Sequence, residues 1–148
     1  MKINTASDFF KNLITETGDK SEIRVYEKFI TILSDLKNRD LTQEQMKSIE
    51  EELDSLNFNA NSNNRKKHFK QKLNQFIKYL KEKLSLISKG YYTAIGMSLG
   101  MSFGVAFGAA LENVSNGLIF GMLIGLIIGA RMDSKAKKEG KVLNTNMN

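Results

Sequence analysis

The chain has 148 residues, with 22 basic and 16 acidic side chains and a formal net charge of +6, and it contains no cysteine and no proline. Without cysteine there is no disulfide framework, no thiolate metal site and no cysteine nucleophile. The single histidine, His68, makes neither a metal site nor a catalytic diad by itself. We therefore expect no enzyme, no catalytic residues, no metal and no cofactor.

The charge is unevenly distributed along the chain. Residues 1–64 carry a net charge of −4, residues 65–89 carry +8, and residues 90–148 carry +2. The first residues show no apolar h-region and no small-residue cleavage site, so we expect no signal peptide. The basic excess therefore lies immediately before the apolar part of the chain.

Residues 1–64 are predicted to be an acidic helical region. Apolar residues recur at helical spacing over residues 20–38, and Thr42 with Gln45 fits an N-terminal capping box of the next helix. Residues 57–64 contain five asparagines, which favour turns, and are predicted to be a loop. No useful length of this region alternates between apolar and polar residues as a strand would.

Residues 65–89 are predicted to be a basic juxtamembrane helix. Its apolar residues follow spacings of three and four, which places them on one stripe about five turns long. These residues are Phe69, Leu73, Phe76, Leu80, Leu84 and Ile87. We predict an all-α fold, in which a cytoplasmic bundle of three to four helices precedes a two-helix transmembrane hairpin.

The hairpin is predicted over residues 90–132. Residues 91–111 are uncharged and would make about 31 Å of helix, close to the thickness of a bilayer core. Residues 112–116 are predicted to be a polar turn. The second arm is predicted at 117–132, although its uncharged part, 117–130, would measure only about 21 Å. Residues 133–148 are predicted to be a cytoplasmic polar tail.

A buried hairpin inside a soluble protein is the alternative, and a hairpin stored in a soluble bundle and inserted later remains open. We favour the membrane because few other residues exist to cover so many apolar ones. Basic residues flank both arms, whereas the turn carries only Glu112. The positive-inside rule then places both termini in the cytoplasm.

Each arm carries a glycine at every fourth position. The glycines are Gly96, Gly100, Gly104, Gly108, Gly117, Gly121, Gly125 and Gly129. Glycine costs about 1 kcal/mol relative to alanine inside a helix, so eight of them need compensation. Close packing of backbones supplies it in a membrane, where the hydrophobic effect does not drive helices together. We predict that these glycines pack against the other arm or a neighbouring chain.

The first arm carries a second stripe of small residues, about 200° around the helix from the glycines. The stripe consists of Ser98, Ser102, Ala106 and Ala110. The corresponding residues of the second arm are the bulky Ile119, Leu123 and Ile127. We therefore predict that the first arm is the inner helix, whose second stripe either contacts another chain or lines a pore.

The 96–129 segment resembles the glycine-zipper membrane domains of many bacterial proteins, some of which oligomerise and some of which form channels. The resemblance covers about a quarter of the chain and implies association more than activity. Many envelope versions carry a secretory signal or a lipoprotein cysteine. Because this chain has neither, we expect the bacterial inner membrane. The whole chain also resembles small uncharacterised bacterial membrane proteins, which implies no activity.

The basic residues could bind lipid headgroups or nucleic acid. Because they continue up to the first span, we favour lipid. The predicted headgroup contacts are Lys78, Lys81, Lys83, Lys89, Arg131 and Lys135. Nucleic acid is disfavoured, since Phe69 and Phe76 lie on the apolar stripe and are not placed to stack on bases.

Three functions follow from these patterns. The first is a homo-oligomer whose hairpins assemble into a pore or channel-like bundle, the layout of membrane-disrupting effectors in bacterial defence or toxin systems. The second is a membrane anchor whose N-terminal helices bind a cytoplasmic partner protein. The third and weakest is a membrane-tethered nucleic-acid adaptor.

Overall fold

The computed structural model describes residues 1–58 and 64–146, which form two compact units. The first unit comprises Met1–Leu86 and Leu143–Thr145, and the second comprises Ile87–Val142 with Asn146. Six helices lie in the described part of the chain, and the last two are long and apolar. The predicted fold, a helical region followed by a two-helix apolar hairpin, is confirmed.

The first unit contains four helices, each of which buries one apolar face. They are α1 (Ile3–Glu16), α2 (Lys20–Lys37), α3 (Gln43–Ser55) and α4 (Arg65–Leu84). On α4 the first four residues of the predicted stripe, from Phe69 to Leu80, are buried. Helical periodicity alone was therefore enough to identify the buried face of this helix.

Aromatic rings fill the centre of this unit. Phe10 of α1 stacks on Phe29 of α2, with ring centroids 4.2 Å apart and planes 9° apart. Tyr26 meets Phe69 of α4 edge to face at 5.1 Å. Because Phe10, Tyr26 and Phe29 are fully buried, they supply a large share of the apolar area that this unit removes from water.

The start of α3 confirms the capping box predicted from the sequence. The Thr42 hydroxyl accepts the backbone N–H of Gln45 at 3.2 Å, and the Gln45 side chain accepts the backbone N–H of Thr42 at 2.9 Å. Two N–H groups that the helix leaves unpaired at its first turn thus find acceptors. The predicted asparagine-rich loop, 57–64, lies largely outside the described residues.

The helix predicted over residues 65–89 ends earlier, at Leu84. Ser85 adopts a left-handed conformation with φ +55°, and the N–H of Leu86 then donates to the carbonyl of Leu80 at 3.1 Å. This turn ends the helix, so Ile87 is not the last residue of the helical stripe. It begins a short strand instead, β1 (Ile87–Lys89).

The second unit is dominated by α5 (Tyr91–Ala110) and α6 (Val114–Lys138). The turn predicted at 112–116 is shorter in the structure. The Asn113 side chain accepts the N–H of Asn116 at 3.2 Å and caps α6, so Ser115 and Asn116 belong to the first turn of that helix. The second arm is therefore longer than the predicted 117–132, and α6 is long enough to span a bilayer.

Most of the described part of the segment predicted as a polar tail, 133–148, lies in a helix or a strand. Its first residues continue α6 to Lys138, and Gly140, with φ +68°, follows the helix. The strand β2 (Val142–Asn146) then pairs with β1 in a two-stranded sheet. This small sheet was not predicted, because the three residues of β1 are too few to show a strand pattern and the residues of β2 do not alternate between apolar and polar.

Candidate functional site: the glycine interface of the hairpin

The eight glycines face the opposite arm of the same hairpin. A Cβ atom added at Gly100 would overlap the carbonyl oxygen of Gly121, and one added at Gly121 would overlap that of Gly100. The same reciprocal relation joins Gly96 to Gly125. Because the overlapping atoms belong to backbone, no side-chain movement could relieve the clash. Only glycine permits this approach of the two helices.

The register of the helices gives three reciprocal glycine pairs rather than four, the third being Gly104 with Gly117. At one end, a Cβ on Gly108 would lie 2.9 Å from the carbonyl oxygen of Asn113. At the other end, Gly129 packs against the backbone of Tyr92 and Thr93. In the three pairs, the glycine hydrogen that replaces Cβ points at a carbonyl oxygen, the geometry of a Cα–H···O contact.

A carboxylate holds the end of the hairpin that lies away from the turn. Asp133 of α6 accepts the N–H of Tyr92 at 3.0 Å, the N–H of Thr93 at 2.9 Å and the Thr93 hydroxyl at 2.6 Å. The N-cap residue of α5 is Gly90, which has no side chain to offer. Asp133 therefore supplies the cap from the neighbouring helix, and its negative charge interacts favourably with the positive end of the α5 dipole.

Sequence reasoning missed this role and assigned Asp133 to the polar tail. A signal was nevertheless present, since Asp133 follows Gly129 by four residues and so continues the glycine repeat of α6 by one turn. The sequence does not show the register between the two arms, and this register decides which residues of α5 the Asp133 side chain can reach. Thr93 packs against Gly129, and the Asp133 side chain, one turn further along α6, reaches the N–H and the hydroxyl of Thr93.

The second small-residue stripe of α5 is not used within the hairpin. Ser98, Ser102, Ala106 and Ala110 are all exposed. The Ser98 hydroxyl donates to the carbonyl of Ala94, and the Ser102 hydroxyl donates to that of Ser98, both at 2.9 Å. Each hydroxyl thus donates its hydrogen bond within its own helix, while its oxygen can still accept a hydrogen bond from a neighbour.

A groove of about 740 Å³ runs along one side of the glycine interface. Leu99, Phe103 and Phe107 form its α5 wall. Phe120, Ile124 and Ile128 form its α6 wall. These side chains are more than half exposed, which is ordinary for residues that meet lipid acyl chains.

The predicted headgroup residues are exposed in both units. In the second unit, Lys89, Arg131 and Lys135 are close in sequence to the hairpin end held by Asp133, whereas Glu112 lies at the turn. Lys135 lies 4.0 Å from Glu139. Beyond the helix end, a hydrogen bond from Lys141 to Glu139, 2.7 Å long, lowers the pKa of the Glu139 carboxyl and raises the pKa of the Lys141 ammonium.

These features define a class, the helical membrane proteins with a glycine-packed transmembrane hairpin. Both α5 and α6 are long and apolar enough to cross a membrane. Residues 88–135 match the family described as glycine zipper membrane protein, which confirms the resemblance seen in the sequence. The match covers about a third of the chain. Searches of curated proteins and of solved structures found no match.

Proposed function

We propose that this membrane protein self-associates through α5 and that its hairpins assemble into a pore or channel-like bundle. The observation that carries the proposal is the exposed stripe formed by Ser98, Ser102, Ala106 and Ala110. The glycines of α5 are already occupied by α6, so this stripe is a second close-packing face on the same helix. A helix with two such faces has room for a second neighbour.

The contrast between the two arms supports α5 as the inner helix. On α6 the residues equivalent to the stripe include Ile119, Leu123 and Ile127, which are exposed and bulky. Large aliphatic side chains suit acyl chains, whereas small side chains leave shallow surface that lipid packs poorly and a second helix packs well. The hydroxyl oxygens of Ser98 and Ser102 would accept hydrogen bonds from water if the stripe lined a lumen.

The charges at the two ends of the hairpin give its proposed orientation. Basic residues precede α5 and end α6, whereas the turn carries Glu112. By the positive-inside rule, both termini lie in the cytoplasm and the turn lies on the opposite side of a bacterial inner membrane. A pore in that membrane would dissipate ion gradients, which is the activity of a membrane-disrupting effector in a defence or toxin system.

Disulfide cross-linking in membranes tests the association directly, because the natural chain has no cysteine. Ser102→Cys should form intermolecular dimers upon oxidation. Leu123→Cys, an exposed position on α6, is the matched control and should cross-link far less. Dye release from vesicles that contain the wild-type protein then separates a pore from a closed assembly. Monomeric Ser102→Cys under oxidising conditions would contradict the proposal.

A membrane anchor for a cytoplasmic partner protein is the second candidate. It is favoured by one observation, namely that all eight glycines are used inside a single hairpin, so none is required for association between chains. The first unit, with its own aromatic core, would then bind the partner. An anchor should neither cross-link at Ser102 nor release dye, and it should retain a specific cytoplasmic protein during purification.

A further inference from the structure

A stripe of exposed residues on α4 carries positive charge along most of the helix. Its members are spaced three, four, four and three residues apart, which places them on one side of an α-helix. They are Lys67, Lys70, Asn74, Lys78 and Lys81, and all five are exposed. From the first lysine to the last, the stripe is about 21 Å long.

The stripe points away from the packed faces of its helix. At 100° per residue, it lies about 150° around α4 from the buried Phe69 and Phe76. Tyr79, whose hydroxyl pairs with that of Ser48 on α3, lies on the other side of the buried face of α4 from the stripe. The acidic helix α3 therefore packs on the side away from the stripe. Lys83, grouped with these lysines by sequence, lies about 160° from Lys81 and is not part of it.

Carboxylates compensate little of the charge on Lys67, Lys70 and Lys78. Lys78 lies 3.8 Å from Glu82 in an exposed i,i+4 pair, an arrangement that contributes little in water. Among the residues that the structure describes, no carboxylate oxygen lies within 4.0 Å of the Lys67 or Lys70 ammonium groups. The stripe is thus a net cationic surface.

We propose that this stripe binds the anionic headgroups of the bilayer that the hairpin spans. Only six residues, Ser85–Gly90, separate α4 from the first span along the chain, so the end of α4 is tethered near the membrane surface. An anionic leaflet attracts such a row of lysines electrostatically when they lie near its surface. Recognition of RNA would need accessible stacking aromatics, but Phe69 and Phe76 of this helix are buried in the core.

Site-specific fluorescence on the full-length protein tests the contact. Asn74→Cys places a unique label at the centre of the stripe, and Gln75→Cys, about 100° around the same helix, is the matched control. The protein is reconstituted in phosphatidylcholine alone or in an equal mixture with phosphatidylglycerol, each with a headgroup-attached quencher. We expect quenching of the Asn74 label to increase in the anionic bilayer and to fall again in high salt, with little change at Gln75.

Charge removal completes the test. Each lysine replaced by glutamine should lower the ratio of surface-bound to detached stripe about fivefold, which corresponds to roughly 1 kcal/mol per basic residue at an anionic leaflet. The stripe variant changes Lys67, Lys70, Lys78 and Lys81. The control variant removes equal charge elsewhere in the first unit and should keep the contact; it changes Lys2, Lys20, Lys37 and Lys47.

Two results would overturn this proposal. The first is equal quenching of the Asn74 label in neutral and anionic bilayers. The second is salt-dependent binding of single-stranded RNA to the wild-type protein in neutral bilayers that the stripe variant loses and the control variant keeps, since it would assign the stripe to nucleic acid. Neither result depends on whether the hairpins associate, so this proposal and the pore proposal can fail separately.

Discussion

Asp133, in the last part of α6, accepts both the backbone N–H and the side-chain hydroxyl of Thr93 at the start of α5, at 2.9 and 2.6 Å. The two residues are 40 positions apart in the chain. Because one helix caps the other, the open end of the hairpin is held by hydrogen bonds, whereas its middle is held by glycine packing. The hairpin thus has two different kinds of closure.

Removing the Asp133 carboxylate should free the first turn of α5. With Asp133→Ala, we expect the amides of Tyr92 and Thr93 to exchange about tenfold faster, because a lost helix cap costs about 1–2 kcal/mol. Hydrogen exchange followed by NMR or mass spectrometry measures this effect. Glu112→Gln, which removes one negative charge at the turn instead, should leave these amides protected. Equal exchange in Asp133→Ala and in the wild type would contradict the capping role.

A single methyl group at the centre of the glycine interface should push the two arms apart. The added Cβ of Gly100→Ala would overlap the carbonyl oxygen of Gly121, an overpacking that costs about 1–3 kcal/mol. Spin labels on cysteines introduced at Ala94 and Ala130 should report a longer and broader distance distribution.

The control for this variant is Gly18→Ala in the first unit. A Cβ at Gly18 would meet nothing within 4 Å, so the change introduces the same methyl group without a clash. It should leave the distance distribution of the hairpin as it is in the wild type. An unchanged distribution in Gly100→Ala as well would show that the helices do not approach as closely as described.

Truncating a central aromatic ring should destabilise the first unit. Phe29 is fully buried and stacks on Phe10, so Phe29→Ala should lower the free energy of unfolding by about 3–5 kcal/mol. Thr31→Ala, an exposed change on the same helix, is the control. Denaturant titration followed by circular dichroism compares the two variants. A loss in Phe29→Ala no larger than in Thr31→Ala would place Phe29 outside the core.

The pair formed by Glu139 and Lys141 gives a prediction about pH. Because the pKa of the Glu139 carboxyl is lowered, its contribution to stability is present above the pKa of the unfolded chain and is lost as pH falls through the folded pKa. The raised pKa of Lys141 has the opposite sense, since its contribution is lost only as pH rises through that value. The pair therefore contributes between the two titrations.

NMR titration of the Glu139 carboxyl checks this pair. With Lys141→Gln, the largest cause of the shift disappears, so the pKa of Glu139 should rise toward its ordinary value. Lys137→Gln removes the same charge from a neighbouring position and should change it much less. If the pKa of Glu139 stayed the same in Lys141→Gln, the hydrogen bond between the two side chains would not form in solution.

Cysteine labelling tests the proposed orientation of the hairpin. Ser115 lies in the first turn of α6, and Ser134 lies near its other end. A membrane-impermeant thiol reagent added to intact cells should label Ser115→Cys and should reach Ser134→Cys only after lysis, because the positive-inside rule keeps the basic end in the cytoplasm. Labelling of Ser134→Cys in intact cells would reverse the orientation.

Sequence periodicity predicted the helices and the buried face of α4, because both depend on spacings within one element. The four-residue repeats also identified the glycines that the structure brings together. The cap by Asp133, in contrast, depends on the register between two arms, which no local pattern records. The end of α4 at Leu84 was missed for a related reason, since a left-handed Ser85 is rare and has no signature in the sequence.

The size of the protein in lipid tests the central claim, that the second small-residue face of α5 joins one hairpin to another. Ala106 lies on that face and is exposed, so Ala106→Leu should leave the hairpin folded but block the contact between chains. Ile119→Leu, on the bulky face of α6, keeps the side-chain volume and is the control. The account predicts an oligomer for the wild type and for Ile119→Leu, and a monomer for Ala106→Leu, when the particle mass is measured in native nanodiscs. A monomeric wild type, or an oligomer that Ala106→Leu leaves intact, would contradict it.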